Sequence, residues 1–280
     1  MMSTHNVEGP AGKVWQLPRA AWLVLGMILT VLVGNRYNVA PLGWVAAVPW
    51  LVFLRQRTGW RDHVLLFVAL QVGAFFALLK IVTEPLTVSF AFMFSIPVAL
   101  TTFMVYEGFE SMRRRLGDNW GIVLFPALTV LTEWLGSYSS PMGSWGSLAY
   151  TQIDNLPFLQ LASVFGLTGI SALLATSSAL AAVLMANDER RRFVPAVAAV
   201  AVLSFAAHGY GSLRLARNIP GELVTVAGVV SEGLDFRTDD APGQEALFAA
   251  SLAAVEQGAE LVVWNEAATL VTAGVESAFL

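Results

Sequence analysis

A run of about 20 apolar residues leaves a chain few ways to fold, because a helix of that length spans the roughly 30 Å hydrocarbon core of a bilayer. Residues 63–82, 88–109, 120–136, 158–185 and 193–210 approach or exceed that length. Two shorter apolar stretches, residues 20–34 and 42–54, flank the turn Asn35-Arg36-Tyr37-Asn38 and read as a helical hairpin. The expectation is seven membrane segments, or five if the hairpin does not cross. With 56% hydrophobic residues, 13% charged residues and a mean hydropathy of +0.64, the chain is far too apolar for one ordinary soluble domain. Residues 1–13 are polar and lack a basic region followed directly by a short apolar run and a small-residue cleavage site. The first apolar segment is therefore expected to be retained.

Basic residues fix the expected sidedness. Lys13 and Arg19 precede the first segment, Arg55, Arg57 and Arg61 follow the second, Arg113, Arg114 and Arg115 follow the fourth, and Arg190, Arg191 and Arg192 follow the sixth. The intervening connections hold only Arg36 and Lys80, and residues 137–157 hold no basic residue. A hairpin adds two crossings or none, so the parity survives either way: N-terminus cytoplasmic, C-terminal part outside.

Composition also excludes chemistry. A net charge of -4 offers no surface for nucleic acid. No cysteine is present, which removes disulfides, cysteine-held metals and any thiol nucleophile within these residues. His5, His63 and His208 lie in different segments, so neither a metal site nor a cofactor is expected. Glu107 and Glu110 are expected to pair with Arg113 and Arg114 at helical spacing rather than to relay protons. Pro97 is expected to kink the fourth segment, with neighbouring helices satisfying the freed carbonyl. Glu133 lies inside an apolar run, where it either caps the outer end of the fifth helix or faces a wet cavity. Trp145 and Tyr150, in a loop rich in glycine and serine, suit either an interfacial aromatic belt or the lining of a lipid entry.

Past Tyr210 the texture changes. Residues 213–221 read as a polar connector, 223–230 as a strand, 235–243 as a polar loop, 243–257 as an amphipathic helix stopped by Gly258, and 261–264 as a second strand. A crossover of this length argues for parallel pairing and the opening of an α/β domain.

Several motifs resemble one family. Thr132-Glu133-Trp134-Leu135, then Trp145, then Ala149-Tyr150-Thr151-Gln152, then Leu159-Gln160-Leu161-Ala162-Ser163 and Gly166-Leu167-Thr168-Gly169-Ile170 are similar to the membrane half of the apolipoprotein N-acyltransferases. Two positions depart from that pattern. Gly143-Ser144 stand where members have Phe-Pro before the loop tryptophan, and Gly136 replaces an arginine. Trp264-Asn265-Glu266 resembles the Trp-Pro-Glu that ends the second strand of the family's nitrilase (carbon-nitrogen hydrolase) domain.

The resemblance implies a polytopic α-helical membrane domain over residues 1–212, followed from 222 to 280 by the start of an α/β nitrilase-like (αββα) domain on the extracytoplasmic side of the cell membrane. It implies Glu266 as general base, with Glu133, Trp145, Tyr150 and Gln152 contacting substrate. A membrane phospholipid would donate the acyl chain, through a cysteine thioester, to the N-terminal amine of a diacylglyceryl-cysteine lipoprotein, while a lysine steadies the oxyanion. Lys13 and Lys80 are the only lysines and both lie in the membrane half. The nucleophile and that lysine are therefore expected to lie outside these residues, in a longer protein of which this chain is a truncated part. Two other readings remain open: a membrane-tethered nitrilase relative acting on another substrate, and a non-enzymatic scaffold or transporter. Gly166 and Gly169 suit close helix packing in any of them.

Overall fold

The structure is a computed structural model that describes residues 17–57, 59–82, 87–140, 142–187, 189–217, 221–230 and 241–265, with 241–243 described by backbone alone. Eight helices form one compact unit: α1 (Arg19–Leu32), α2 (Val48–Arg55), α3 (Trp60–Leu79), α4 (Val88–Leu116), α5 (Asp118–Ser139), α6 (Leu156–Leu159), α7 (Ala162–Ala186) and α8 (Val194–Leu215). A second unit holds β1 (Val226–Val229), α9 (Ala241–Glu256) and β2 (Leu261–Trp264). Helices α3, α4, α5, α7 and α8, the last with its leading 3-10 turn Arg190–Phe193, are each long and apolar enough to cross a membrane. Pro97 sits inside α4, which continues across it.

The short hairpin runs the length of this bundle. Arg19 at the start of α1 pairs with Asp62 in the first turn of α3 at 2.8 Å. At the far end of α1, Lys80 Nζ donates to the carbonyls of Val31 and Gly34 at 2.5 and 2.8 Å, and Asn35 Nδ2 reaches Ala77 O at 3.3 Å. The return arm begins with the 3-10 turn Ala40–Trp44 and ends where Arg55 meets Asp118 at 2.6 Å. Each arm therefore joins the same two ends as the long helices.

Helix α2 is the centre of the unit. Every residue from Val48 to Leu54 is buried, as a helix apolar on all sides requires. It packs against α1, α4 and α7. The Trp50 ring fills the space left by the missing side chain of Gly26 and faces Tyr106 at 6.5 Å, which in turn stacks on Phe125 at 5.6 Å. In lipid, where burial gives little net drive between helices, such close packing and interhelical hydrogen bonds supply the cohesion.

One end of the bundle is arginine-rich and ionically tied. Glu110 is fully buried and bonds Arg113 Nη2 and Arg114 Nε, both at 2.7 Å, the expected i,i+3 and i,i+4 partners. Asp118 joins Arg113 to Arg55. Glu107 departs from expectation: its partners are Arg57 and, at 2.9 Å, His63 Nδ1. The reason is distance, because Arg113 and Arg114 stand six and seven residues on, about 9 and 10.5 Å along the helix axis.

The apolar run at 158–185 is two helices rather than one. α6 ends at Leu159, and α7 is broken at Gly166, whose φ of 66° and ψ of -175° only glycine adopts without strain. The side chain that Gly169 lacks would meet Phe165 Cβ at 2.3 Å. The two glycines thus serve a kink within the segment and not the helix–helix contact expected of them.

In the second unit β1 and β2 pair in parallel, with Val226 opposite Leu261 and Val229 opposite Trp264. Ala227, Val229, Val262 and Trp264 occupy the less exposed face; Val226, Leu261 and Val263 lie on the exposed one. Trp264 meets Phe248 edge-on at 5.4 Å and donates to Ser251 Oγ at 2.9 Å, which docks α9 on the sheet. Helix α9 is not the amphipathic helix expected. Leu247 is buried, whereas Phe248, Leu252 and Val255 form one exposed stripe at i, i+4 and i+7, and alanines populate the other sides. Gly258, with φ of 97°, ends it as foreseen. Helix α8 continues to Leu215, into the span read as connector. Most of the polar loop at 235–243 lies outside the described residues.

Breaking a buried ion pair from one side strands its partners. Glu110→Gln is expected to cost about 3 kcal/mol, seen as a clear fall in the melting temperature in detergent. Arg114→Ala, at a half-exposed guanidinium, should cost under about 1 kcal/mol. Equal melting of Glu110→Gln and the parent chain would refute the structural role assigned to this carboxylate.

Candidate functional site

The opposite end of the bundle is closed by residues 142–161, short turns and the one-turn α6, which fold back into the helices instead of lying over them. Non-helical backbone buried among helices needs internal partners for its amides. Glu133, nearly two turns before the end of α5, provides them: Oε1 accepts from the Leu148 amide at 2.7 Å and Oε2 from Ser147 Oγ at 2.9 Å. Ser171 of α7 completes the anchor, accepting from the Ala149 amide at 3.1 Å and meeting Ser147 Oγ at 3.2 Å. The 3-10 turn Leu148–Gln152 is held there with Ala149 and Gln152 fully buried.

That turn docks on the hairpin. Gln152 Nε2 donates to Ala40 O at 2.7 Å, and Asn38 Nδ2 donates to Thr151 O at 2.8 Å and to Asp154 Oδ2 at 3.1 Å. Gly43 permits the approach, since a Cβ there would sit 2.4 Å from Thr151 Oγ1. Ser178 of α7 donates to Trp44 O at 3.0 Å. Between the hairpin and the turn opens a cleft of about 530 Å³, lined by Asn38, Ala40, Trp44, Gln152, Asp154 and Asn155 among others.

One wall of the cleft is fixed from α8. His208 Nδ1 lies 2.8 Å from the Ser204 carbonyl, which can only accept, so Nδ1 carries the proton and Nε2 accepts from Asn155 Nδ2 at 3.1 Å. The ring stacks on Phe158 with centroids 5.1 Å apart. The imidazole is thus spent on positioning Asn155, whose amide also donates to Gln152 Oε1 at 3.3 Å.

Of the residues proposed from sequence, Gln152 lines the cleft. Glu133 neither caps α5 nor faces the cleft; it anchors the loop that makes one wall. Tyr150 is half-buried, its hydroxyl 2.8 Å from Ser144 Oγ, and Trp145 stands exposed. Glu266 lies outside the described residues. Asn38, Trp44, Asp154, Asn155 and His208 escaped sequence reading as site residues, because they sit in three separate segments. Asn38 had been legible only as a turn former. Among the described residues no cluster of His, Asp and Glu could hold a metal ion. The Glu133–Ser147–Ser171 chain contains no imidazole to serve as a base, so it positions rather than reacts. What the cleft offers is recognition: amide donors and acceptors, a carboxylate and an indole face beside an apolar bundle.

Replacing Glu133 with Gln leaves one carboxamide oxygen where two acceptors were used, and the expected cost is about 1–3 kcal/mol. Limited proteolysis should show it as faster cleavage within 140–155 while the helices stay protected. Unchanged cleavage in Glu133→Gln would mean the loop is held by something else.

These features agree with two comparisons. A sequence profile of the apolipoprotein N-acyltransferase N-terminal domain matches residues 25–180, more than half of the chain. Over 273 residues the chain is 25% identical to a curated apolipoprotein N-acyltransferase of Geobacter metallireducens, an alignment covering 90% of this chain and 52% of that protein. The chain therefore spans about half the length of the curated relative it matches. An apolar helical bundle, five helices long enough to span a membrane and the profile match lead to one assignment: the chain is a multi-pass membrane protein and belongs to the apolipoprotein N-acyltransferase family.

Proposed function

We propose that this chain is the membrane part, with the opening of the catalytic domain, of an enzyme that moves an acyl chain from a membrane phospholipid to the N-terminal amine of a diacylglyceryl-cysteine lipoprotein. The observation that carries the reading is the cleft, with polar groups on an apolar lining, at the arginine-poor end of a bundle that belongs to this family. Residues 1–212 serve as the lipid-facing domain and 222–280 begin a nitrilase-like domain. The β1–α9–β2 unit, a parallel pair joined by a helix, supports that opening, and its apolar outer face suits a sheet covered on both sides.

In this reading Glu266 takes the proton of a cysteine thiol. The thiolate attacks the phospholipid ester carbonyl, a carbon–sulfur bond forms, and the alkoxide leaves with the proton from Glu266 as lysophospholipid. The lipoprotein amine then attacks the thioester, an amide forms and the thiol is released. A lysine stabilises each tetrahedral oxyanion. The 280 residues contain no cysteine, and their lysines, Lys13 and Lys80, belong to the membrane part. This polypeptide by itself is expected to transfer nothing, and a thioester formed on it alone would overturn that. Glu133, through the loop, and Trp145, Tyr150 and Gln152 shape the approach of substrate. A different acceptor is favoured by one feature: Gly143 has φ of 57°, a conformation strained for the Phe that members carry there, so the backbone before Trp145 follows its own path.

The arginine-rich end is assigned to the cytoplasm and the cleft to the outside. A cysteine-free chain tests this directly. Asp154→Cys should react with an impermeant maleimide on intact cells and Arg115→Cys only after lysis, and the reverse pattern would invert the topology. For the reaction, the N-terminal peptides of lipoproteins from cells with and without the gene are compared by mass spectrometry. The expected difference is one acyl chain, and identical masses would exclude this acceptor.

A further inference from the structure

Outside the cleft, the last turns of α8 meet the start of α7 in a cluster of three side chains. Arg214 Nη1 donates to Ser163 Oγ at 2.8 Å and to the Tyr210 hydroxyl at 3.1 Å, and the two hydroxyls are 3.0 Å apart. Ser163 Oγ spends its own proton on the Gln160 carbonyl at 2.8 Å. The proton order follows: Tyr210 donates to Ser163, Ser163 to the carbonyl, and Nη1 uses both its N–H groups on the two hydroxyl oxygens. A guanidinium has five donors in one plane. Nε–H and the two N–H groups of Nη2 remain, and among the described residues nothing accepts from them and no carboxylate pairs with Arg214.

Five arginines of this bundle are treated differently. Arg19, Arg55, Arg57, Arg113 and Arg114 each face a carboxylate. Arg214 is instead gripped by neutral hydroxyls on one side, which fixes its plane and leaves its charge uncompensated. The free Nε/Nη2 edge is the side-on fork that matches two oxygens of a phosphate. Beside these three side chains the surface is apolar: Leu213 on α8, and Val164 and Phe165 directly after Ser163, are exposed. Arg214 lies in the last turn of an apolar helix long enough to cross a membrane, where a long cationic side chain can reach lipid headgroups. Arg217, exposed and three residues on, adds positive potential without a described side-chain partner.

We infer that Arg214, oriented by Ser163 and Tyr210, binds the phosphodiester of a membrane phospholipid and is the headgroup subsite for the acyl donor. The role as donor subsite rests on the transferase reading, whereas the binding does not. Because the contact is to the phosphate that all glycerophospholipids share, the site tolerates different headgroups and rejects a lipid that lacks phosphate.

The test is lipid binding by the 280-residue chain in detergent, followed by native mass spectrometry with phosphatidylglycerol, phosphatidylethanolamine and a diacylglycerol of the same acyl chains. The parent chain should retain both phospholipids within a few-fold of each other and the diacylglycerol at least tenfold more weakly. Arg214→Ala should lose roughly tenfold or more in phospholipid affinity. Arg214→Lys should lose nearly as much, since an ammonium keeps the charge but not the fork. Arg217→Ala should stay within about twofold, and an unchanged melting temperature shows that each variant is folded. Parent-like binding by Arg214→Ala, equal retention of diacylglycerol, or an equal loss in Arg217→Ala would each overturn the inference. Displacement of the lipid by millimolar inorganic phosphate would do so too, by making this a site for soluble anions. Loss of binding in Arg214→Ala, together with identical lipoprotein masses in cells with and without the parent gene, would sink the transferase reading alone. Acylation with parent-like binding by Arg214→Ala would sink only the subsite.

Discussion

In hydrocarbon a backbone amide without a partner has no water to turn to, and each one left open costs several kcal/mol. The long helices meet that demand internally. Residues 142–161 meet much of it through their own turns, and the cleft end of the bundle supplies the partners that those turns leave open. Glu133, Ser147 and Ser171 take up the amides of Leu148 and Ala149, while Asn38 and Gln152 close the carbonyls of Thr151 and Ala40. The same side chains that satisfy the loop shape the cleft, so recognition and structural support there are one network.

The two ends of the bundle solve different problems with different chemistry. At the arginine-rich end, charges are paired across five helices and the connection between α2 and α3. At the cleft end the partners are neutral amides, hydroxyls and backbone carbonyls, and the carboxylate of Glu133 is paired with an amide and a hydroxyl. Neutral hydrogen bonds leave the cleft's carboxylate, Asp154, without a balancing cation among the described residues and available to a ligand. An end sealed by full ion pairs would have nothing left to offer one.

The helical content was largely legible from sequence because length and apolarity report it directly. The strands at 226–229 and 261–264 and the stop at Gly258 were legible from alternation and from glycine chemistry. What sequence hid was depth. Residues 48–54 look like a short, marginal segment, yet they are the most buried helix, since a central helix needs no lipid-length span if its neighbours supply the surface. The site was harder still. Asn38, Gln152 and His208 are joined by hydrogen bonds over separations that no local spacing encodes. Glu133 could be singled out as a costly carboxylate, but its partner was a loop amide, which carries no sequence signature.

The sequence separations of these ties differ in a way that bears on synthesis. At the arginine-rich end the pairs Arg19–Asp62, Arg57–Glu107 and Arg55–Asp118 link residues 43, 50 and 63 apart. All of them are complete once residue 118 has emerged. At the other end the ties from Asn38 to Thr151, Ala40 to Gln152 and Trp44 to Ser178 link residues 113, 112 and 134 apart. A chain inserted from its N-terminus would close the first end early and hold the hairpin's turn waiting through most of its translation. The cleft is therefore the last part of the bundle to be born, complete only when α7 and then α8 arrive to meet a hairpin made long before them.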